Sequence, residues 1–285
     1  MVNIIIKISL LLCLLITPLI HVFADHDETN YPHVPNKIVV TSDDWCPYTC
    51  TSLTNRPGVM YDLVKSVLDH AGKEFDFKKA SWPRAIEMVA NDNAHILLGA
   101  NPDLANKAGF HTFKQFYLSV ESAFLVRKSM NKTRFDEDEF NDLTIGLMKF
   151  YQYDKSGGWD ELLKSHNKTV EVDNHLGETH LITLLQKRRI DAALINIDVA
   201  KHFLSSWGLA DDYKFVRKDI RIPIYVAFNQ SDMGEMVFAM FNEEFEAMQA
   251  NGSLSGVLEK YDILMPNINY PMINLLKAEN PLTSE

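Results

Sequence analysis

Three side chains, Asp44, Trp45 and Tyr48, follow the β-branched run KIVVTS and so stand just past the carboxyl end of a strand. A carboxylate beside two flat rings suits reversible capture of a small charged or polar molecule; the alternative is a loop packed for stability. Trp82 and Arg84 open an amphipathic helix, where a cation in the first turn opposes the helix dipole and points to a compensating anion. Asn101 and Asn196 each end an apolar run, and Tyr151 and Tyr153 follow LTIGLMK, placed to close over a ligand. No nucleophile lies beside a base, and neither metal-ligand spacing nor a phosphate-cradling loop occurs. These nine residues are therefore read as ligand-binding, with no catalytic group, metal or cofactor expected.

The elements that must position them are organised around Ser81 to Asp103, SWPRAIEMVANDNAHILLGANPD. Ala85, Ile86, Met88 and Val89 share a helical face, and AHILLGA is the unbroken apolar run of a strand buried on both sides. Such a strand belongs in a parallel sheet, where residues at the carboxyl ends of strands open into a ligand-binding crevice. Upstream, KIVVTS, the helix GVMYDLVKSVLDHAG and FDFKKA complete a β-α-β-α-β order. A second such pattern starts at Leu143, and Gly177 to Asn196, GETHLITLLQKRRIDAALIN, repeats the plan of helix, short polar turn, apolar strand and final Asn. Two similar α/β lobes are expected. His95, Lys187, Arg188 and Arg189 fall in turns away from the crevice and are read as solvated. Met236, Met240 and Met248 lie with Phe241 and Phe245 on one stripe of a long helix, the spacing of core packing.

Composition narrows the setting. The first 24 residues, Lys7 followed by ISLLLCLLITPLI and closed by Val22-Phe23-Ala24, form a secretory signal with cleavage expected after Ala24. Removing Lys7, the only formal charge there, takes the net charge from −10 to −11, which argues against nucleic acid or anionic lipid as partner. Cys13 leaves with the signal; Cys46 and Cys50 remain. In an oxidising compartment a pair so close, with Pro47 between, is expected to form a small-loop disulfide. The alternatives are two free thiols or a metal pair, for which no His partner stands nearby in sequence.

GVMYDLVKSVL, SWPRAIEMVANDNAHILLGANPD, QKRRIDAALIN, IPIYVAFNQSD and FNEEFEAMQANGSLSGVLEKYDI together resemble the family 3 extracellular solute-binding proteins, over about Lys37 to Ile263. The resemblance implies a periplasmic-binding-protein-like fold (type II): two α/β lobes, each a mostly parallel sheet flanked by helices, joined by two crossings. After the signal peptide at 1–24 and a polar, two-proline stretch read as a flexible leader at 25–36, it places lobe 1 at 37–127 plus 222–285 and lobe 2 at 128–221. It implies a periplasmic, monomeric protein that holds a polar or amino acid-like ligand between the lobes for ABC-type uptake, with a membrane permease or receptor as partner. Two fixtures of amino-acid recognition are missing. ANPDLANKAGF has no Arg where such binders clamp the α-carboxylate, Lys107 being a weak substitute, and Asn196 stands where an Asp would take the ammonium, with Asp198 two residues on. An enzyme on the same fold, of dehydratase type with Glu178 or Asp198 recruited, and a sensor subunit are the rival readings.

Overall fold

Apolar runs too short for a helix and flanked by polar turns become the central strands. In the computed structural model, which describes residues 31–50, 56–131, 142–149, 151, 163, 166, 168–173 and 176–261, β3 (Ile96–Ala100) and β7 (Ala192–Asn196) are buried at every position. Around β3 stand β1 (Lys37–Ser42), α1 (Val59–His70), β2 (Glu74–Lys79), α2 (Trp82–Ala90) and α3 (Pro102–Ala108). Around β7 stand β5 (Ile145–Met148), β6 (Thr169–Val172), α4 (Thr179–Gln186) and α5 (Ile197–Ser206). Two long strands, β4 (His111–Arg127) and β8 (Tyr213–Phe228), connect the halves, and α6 (Asp232–Asn251) and α7 (Ser253–Glu259) follow.

The strand order is β2-β1-β3-β8-β4-β7-β5-β6. Each end is a parallel trio, with β1 between β2 and β3, and β5 between β6 and β7. The two long strands pair antiparallel with each other and with the inner strand of each trio. Parallel trios are what the helix-crossover order demands, since adjacent parallel strands cannot be joined by a tight turn.

Each half buries its own core, which makes the protein two-lobed. Ile38, Val40, Leu63, Phe113 and Phe241 belong to one cluster, with Met240, Phe245 and Met248 of α6 packed in it; Leu125, Leu181, Ile182 and Leu194 belong to another. The two long strands carry the chain between them. Phe116 and Val120 of β4 lie in the first core, whereas Phe124, Leu125 and Val126 lie in the second. On β8, Val216 packs in the second core and Ile224 in the first.

Three details depart from the sequence reading. Phe124 to Val126, assigned there to the end of lobe 1, pack in the core of the other lobe, and β8 begins at Tyr213 rather than Ile222. The pairing of β4 with β8 shifts register between Thr112 and Tyr117 and again between Glu121 and Phe124, so the alternation that marks a strand breaks where the strand does not. His95 is half-buried rather than solvated, its Nδ1 accepting the Val39 amide at 2.9 Å; Lys187, Arg188 and Arg189 are exposed. Tyr153, the signal peptide and the tail after Tyr261 lie outside the described residues.

Candidate functional site

A cavity opens where strands of both lobes finish. Asp43 and Trp45 follow β1 and Asn101 follows β3; opposite them, Tyr151 lies beyond β5, Glu178 immediately before α4 and Asn196 at the end of β7. Its floor is the pair of crossing strands, which contribute Val120, Ser122, Ile222 and Ile224. A larger groove runs outward past Asp44, Lys79, Leu176 and Trp207.

The first wall is a rigid aromatic surface. Backbone hydrogen bonds between Trp45 and Thr49 close a tight loop, Cys46 and Cys50 form a disulfide across it, and the amide of Met60 on α1 donates to the Tyr48 carbonyl. Gly99 has φ +92°, and a Cβ there would lie 3.5 Å from the Trp45 ring and 4.0 Å from that of Trp82. Both indoles thus flank β3 at Gly99, where a Cβ would meet them at ordinary contact distance and the positive φ is the reason for glycine.

The second wall carries the polar groups Asn196 and Glu178, and Asp43 faces them from the first. Asn196 is 2% exposed and caps α5, its Oδ1 accepting the amides of Asp198 at 2.9 Å and Val199 at 3.0 Å. With Oδ1 committed, the buried Nδ2 has no hydrogen-bond partner among the described residues. Glu178 is buried; its Oε2 accepts from Trp45 Nε1 at 3.2 Å and its Oε1 from the Asn196 amide at 3.4 Å. Burial disfavours the charged form and pushes its carboxyl up to about 7, with a smaller contribution from Asp43. Asp43, equally buried, is pushed up to about 6 by desolvation, although the Tyr151 hydroxyl donates to it at 3.3 Å. Tyr48 donates to Asp198 at 2.9 Å, and burial, then the Asp198 charge, raises its hydroxyl well above the usual range. Among the described residues, hydrogen bonds thus span the lobes from Trp45 to Glu178, from Tyr48 to Asp198 and, at 3.4 Å, to Asn196 Oδ1, and from Tyr151 to Asp43.

Of the residues expected at the site, Trp45, Trp82, Asn101, Tyr151 and Asn196 line one cavity. Tyr48 stands behind it as an interlobe strut, and Asn101 also caps α3 through Leu104 N at 2.8 Å. Arg84 does not take part: 56% exposed, it pairs with Glu87 at 2.7 Å, so a neighbour on its own helix supplies the anion its position demanded. Asp44 turns outward and binds Lys79 at 3.0 Å; its neighbour Asp43 faces the cavity instead. Asp43 and Glu178 were not chosen as ligand residues in sequence, the latter entering only as a recruitable acid. The signals were an Asp one place nearer the strand end and an acid just before a helix N-terminus. His202 of α5 also approaches the cysteines, within 4.8 Å of both sulfurs, a neighbour that no local spacing revealed.

The sequence model of the bacterial extracellular solute-binding proteins, family 3, matches residues 38–263. No protein with a curated description matches the chain. Among solved structures, the substrate binding protein of an ABC uptake transporter from Streptococcus pneumoniae, with bound histidine, is 16% identical with a TM-score of 0.65, covering 79% of this chain and 92% of that one. A histidine kinase sensor domain with similarity to periplasmic binding proteins scores 0.64 at 16% identity and covers 79% and 95%. An ancestral amino acid-binding protein, a precursor of cyclohexadienyl dehydratase, scores 0.60 at 17% identity and covers 79% and 94%. At these identities the likeness is one of fold.

Proposed function

Because the chain belongs to the bacterial extracellular solute-binding proteins of family 3, we propose that it captures a small polar, amine-bearing or zwitterionic molecule in the interlobe cleft for ABC-type uptake. Export by the signal of residues 1–24, a periplasmic location, a monomeric state and a membrane permease as partner belong to the same proposal. No helix among the described residues is long and apolar enough to cross a membrane.

The observation that carries the reading is the composition of the cavity: each lobe supplies one wall, and both crossing strands supply the floor. A molecule held there touches both lobes at once, so its binding energy favours whichever interlobe arrangement brings both walls to it. Trp45, Trp82 and Tyr151 give flat faces, while Asp43, Glu178 and Asn196 give oriented polar atoms. Trp45 reaches across to Glu178, so occupancy of the cleft and the lobe–lobe contact share one side chain.

A thermal-shift screen of the mature protein against amino acids, amines, amides, organic acids and sugars tests it. A ligand at 100 times its Kd stabilises the folded state by about 2.7 kcal/mol. A hit that also perturbs the fluorescence of Trp45 and Trp82, and loses its effect in Trp45→Ala, supports the reading. Absence of any hit would remove it.

One feature favours a second reading. A buried carboxyl held near neutrality, as at Glu178, is what a general acid requires. The hit compound, followed by product analysis, separates the two: a retained ligand supports capture, and a converted one supports an enzyme.

A further inference from the structure

We infer that the ligand is a small organic cation without a free carboxylate, an amine whose other polar end is a hydroxyl or amide oxygen. This rests on the proposed capture function and deepens it.

The cavity has a one-sided charge inventory. Asp43 and Glu178 both line it, and among the described lining residues there is no Lys, Arg or His. Asp43 is near enough to Glu178 to oppose its ionisation, a smaller cause there than burial. The basic groups considered for the site are engaged or remote. Lys79 is held by Asp44 at 3.0 Å in the outer groove, Arg84 by Glu87 at 2.7 Å on the surface, and Lys107 is exposed on α3. A ligand carboxylate would therefore enter a buried space already holding two acids with no counter-charge, an arrangement that like-charge repulsion and desolvation both oppose.

An ammonium or guanidinium meets the opposite situation. Each carboxylate oxygen has two acceptor sites, and Glu178 and Asp43 keep capacity beyond the donors they already hold. A cation between them removes the repulsion and makes charge-assisted hydrogen bonds. The indoles of Trp45 and Trp82, flanking β3 at Gly99, offer the faces on which an organic cation is best held.

The Asn196 amide gives an independent sign of a ligand and of its second end. Nδ2 is a buried donor without a partner among the described residues, and its rotamer is fixed because Oδ1 caps α5. A buried donor left unsatisfied is costly, so the atom calls for an acceptor supplied by the ligand. A neutral hydroxyl or amide oxygen satisfies it. One uncharged N–H beside two acids is not an adequate host for a carboxylate.

Isothermal titration of the mature protein at pH 7.5 tests this with matched sets on one skeleton. The first set is L-arginine, agmatine and L-argininamide; the second is L-histidine, histamine and histidinamide; the third is L-alanine, ethylamine and alaninol. The expected result is that in at least one set an amine, alcohol or amide binds at least tenfold tighter than its parent amino acid, and that in no set does the parent win. Glu178→Gln is expected to weaken the best cation at least tenfold, and Asp43→Asn serves as the second variant should the first fold poorly. A parent amino acid that binds tighter, or an affinity unmoved by both variants, overturns the cation assignment and leaves cleft capture standing. Failure of every cation while an organic acid or sugar binds overturns it equally. If nothing binds in these sets or in the wider screen, capture itself falls.

Discussion

The walls of the cleft repeat one local plan and use it differently. In each, an amphipathic helix leads to a fully buried strand, and the strand ends in an Asn whose side chain caps the next helix, α3 after Asn101 and α5 after Asn196. Yet Asn101 is partly exposed, while Asn196 is 2% exposed with an amide nitrogen that lacks a partner among the described residues. Ahead of α2 stands Ser81, exposed; ahead of α4 stands Glu178, buried against the tip of β7. Each wall carries one buried acid, Asp43 on the first and Glu178 on the second, whereas both indoles lie on the first and the unpaired amide on the second. A capping Asn is a folding device on either side, and burial beneath the opposite lobe is what turns one of the two into a candidate ligand contact.

The greatest expected effect concerns the buried acids. Their folded values, about 6 for Asp43 and about 7 for Glu178, lie above the ordinary 3.8 and 4.5, so the folded state retains protons that the unfolded chain releases. Stability from this source is fully present below the unfolded values and is lost as pH rises through 6 and 7, on the order of 3 kcal/mol for each carboxyl. Asp44, Asp198, Lys79 and the hydroxyls of Tyr48 and Tyr151 complete the polar surroundings. Relative to the ligand-free wild type, Asp43→Asn/Glu178→Gln should therefore be more stable at pH 8 than at pH 5, measured by melting curves across that range. A gap independent of pH would show that burial does not hold the two acids, one on each wall, near neutrality.

Next in size, Glu178→Gln should raise the Kd of the best ligand by about 100-fold, the scale of a hydrogen bond to a charged group. Calorimetric titration measures it, and an unchanged Kd would erase the asymmetry between the walls. Asn196→Ala should both lower stability by about 1 kcal/mol through the lost cap and weaken binding by about tenfold. Asn101→Ala, its counterpart, should cost about the same cap energy, lowering Tm by about 2–4 °C, with much less effect on affinity. Equal losses of affinity in the two would break the distinction drawn between them. Arg84→Ala should change neither Tm nor affinity measurably, because a half-exposed pair such as Arg84–Glu87 contributes about 0–1 kcal/mol.

Much of the architecture was legible in the chain because it is local. AHILLGA and DAALIN announce buried strands, GVMYDLVKSVLDHAG a helix with a closing Gly, and their alternation a parallel sheet. The aromatic part of the site was legible for the same reason, since Trp45, Asn101 and Asn196 sit at strand ends and parallel sheets bind there. The acidic part was not. Whether Asp43 or Asp44 faces inward depends on how the chain leaves β1, and the hairpin between Trp45 and Thr49 sets that direction. The position of Arg84 demands an anion without saying which, and the i+3 neighbour Glu87 on the same helix supplies it.

What the sequence determined by itself was the set of elements, their order and the residues presented at strand ends, because periodicity and capping act over a few residues. Only the tertiary structure decided which of those residues share a cavity. Trp45 meets Glu178 across 133 positions and Tyr48 meets Asp198 across 150, contacts set by the two crossing strands and not by any local pattern. Burial follows from that meeting, and burial is what moves Asp43 and Glu178 toward neutrality and leaves the amide of Asn196 waiting for an acceptor.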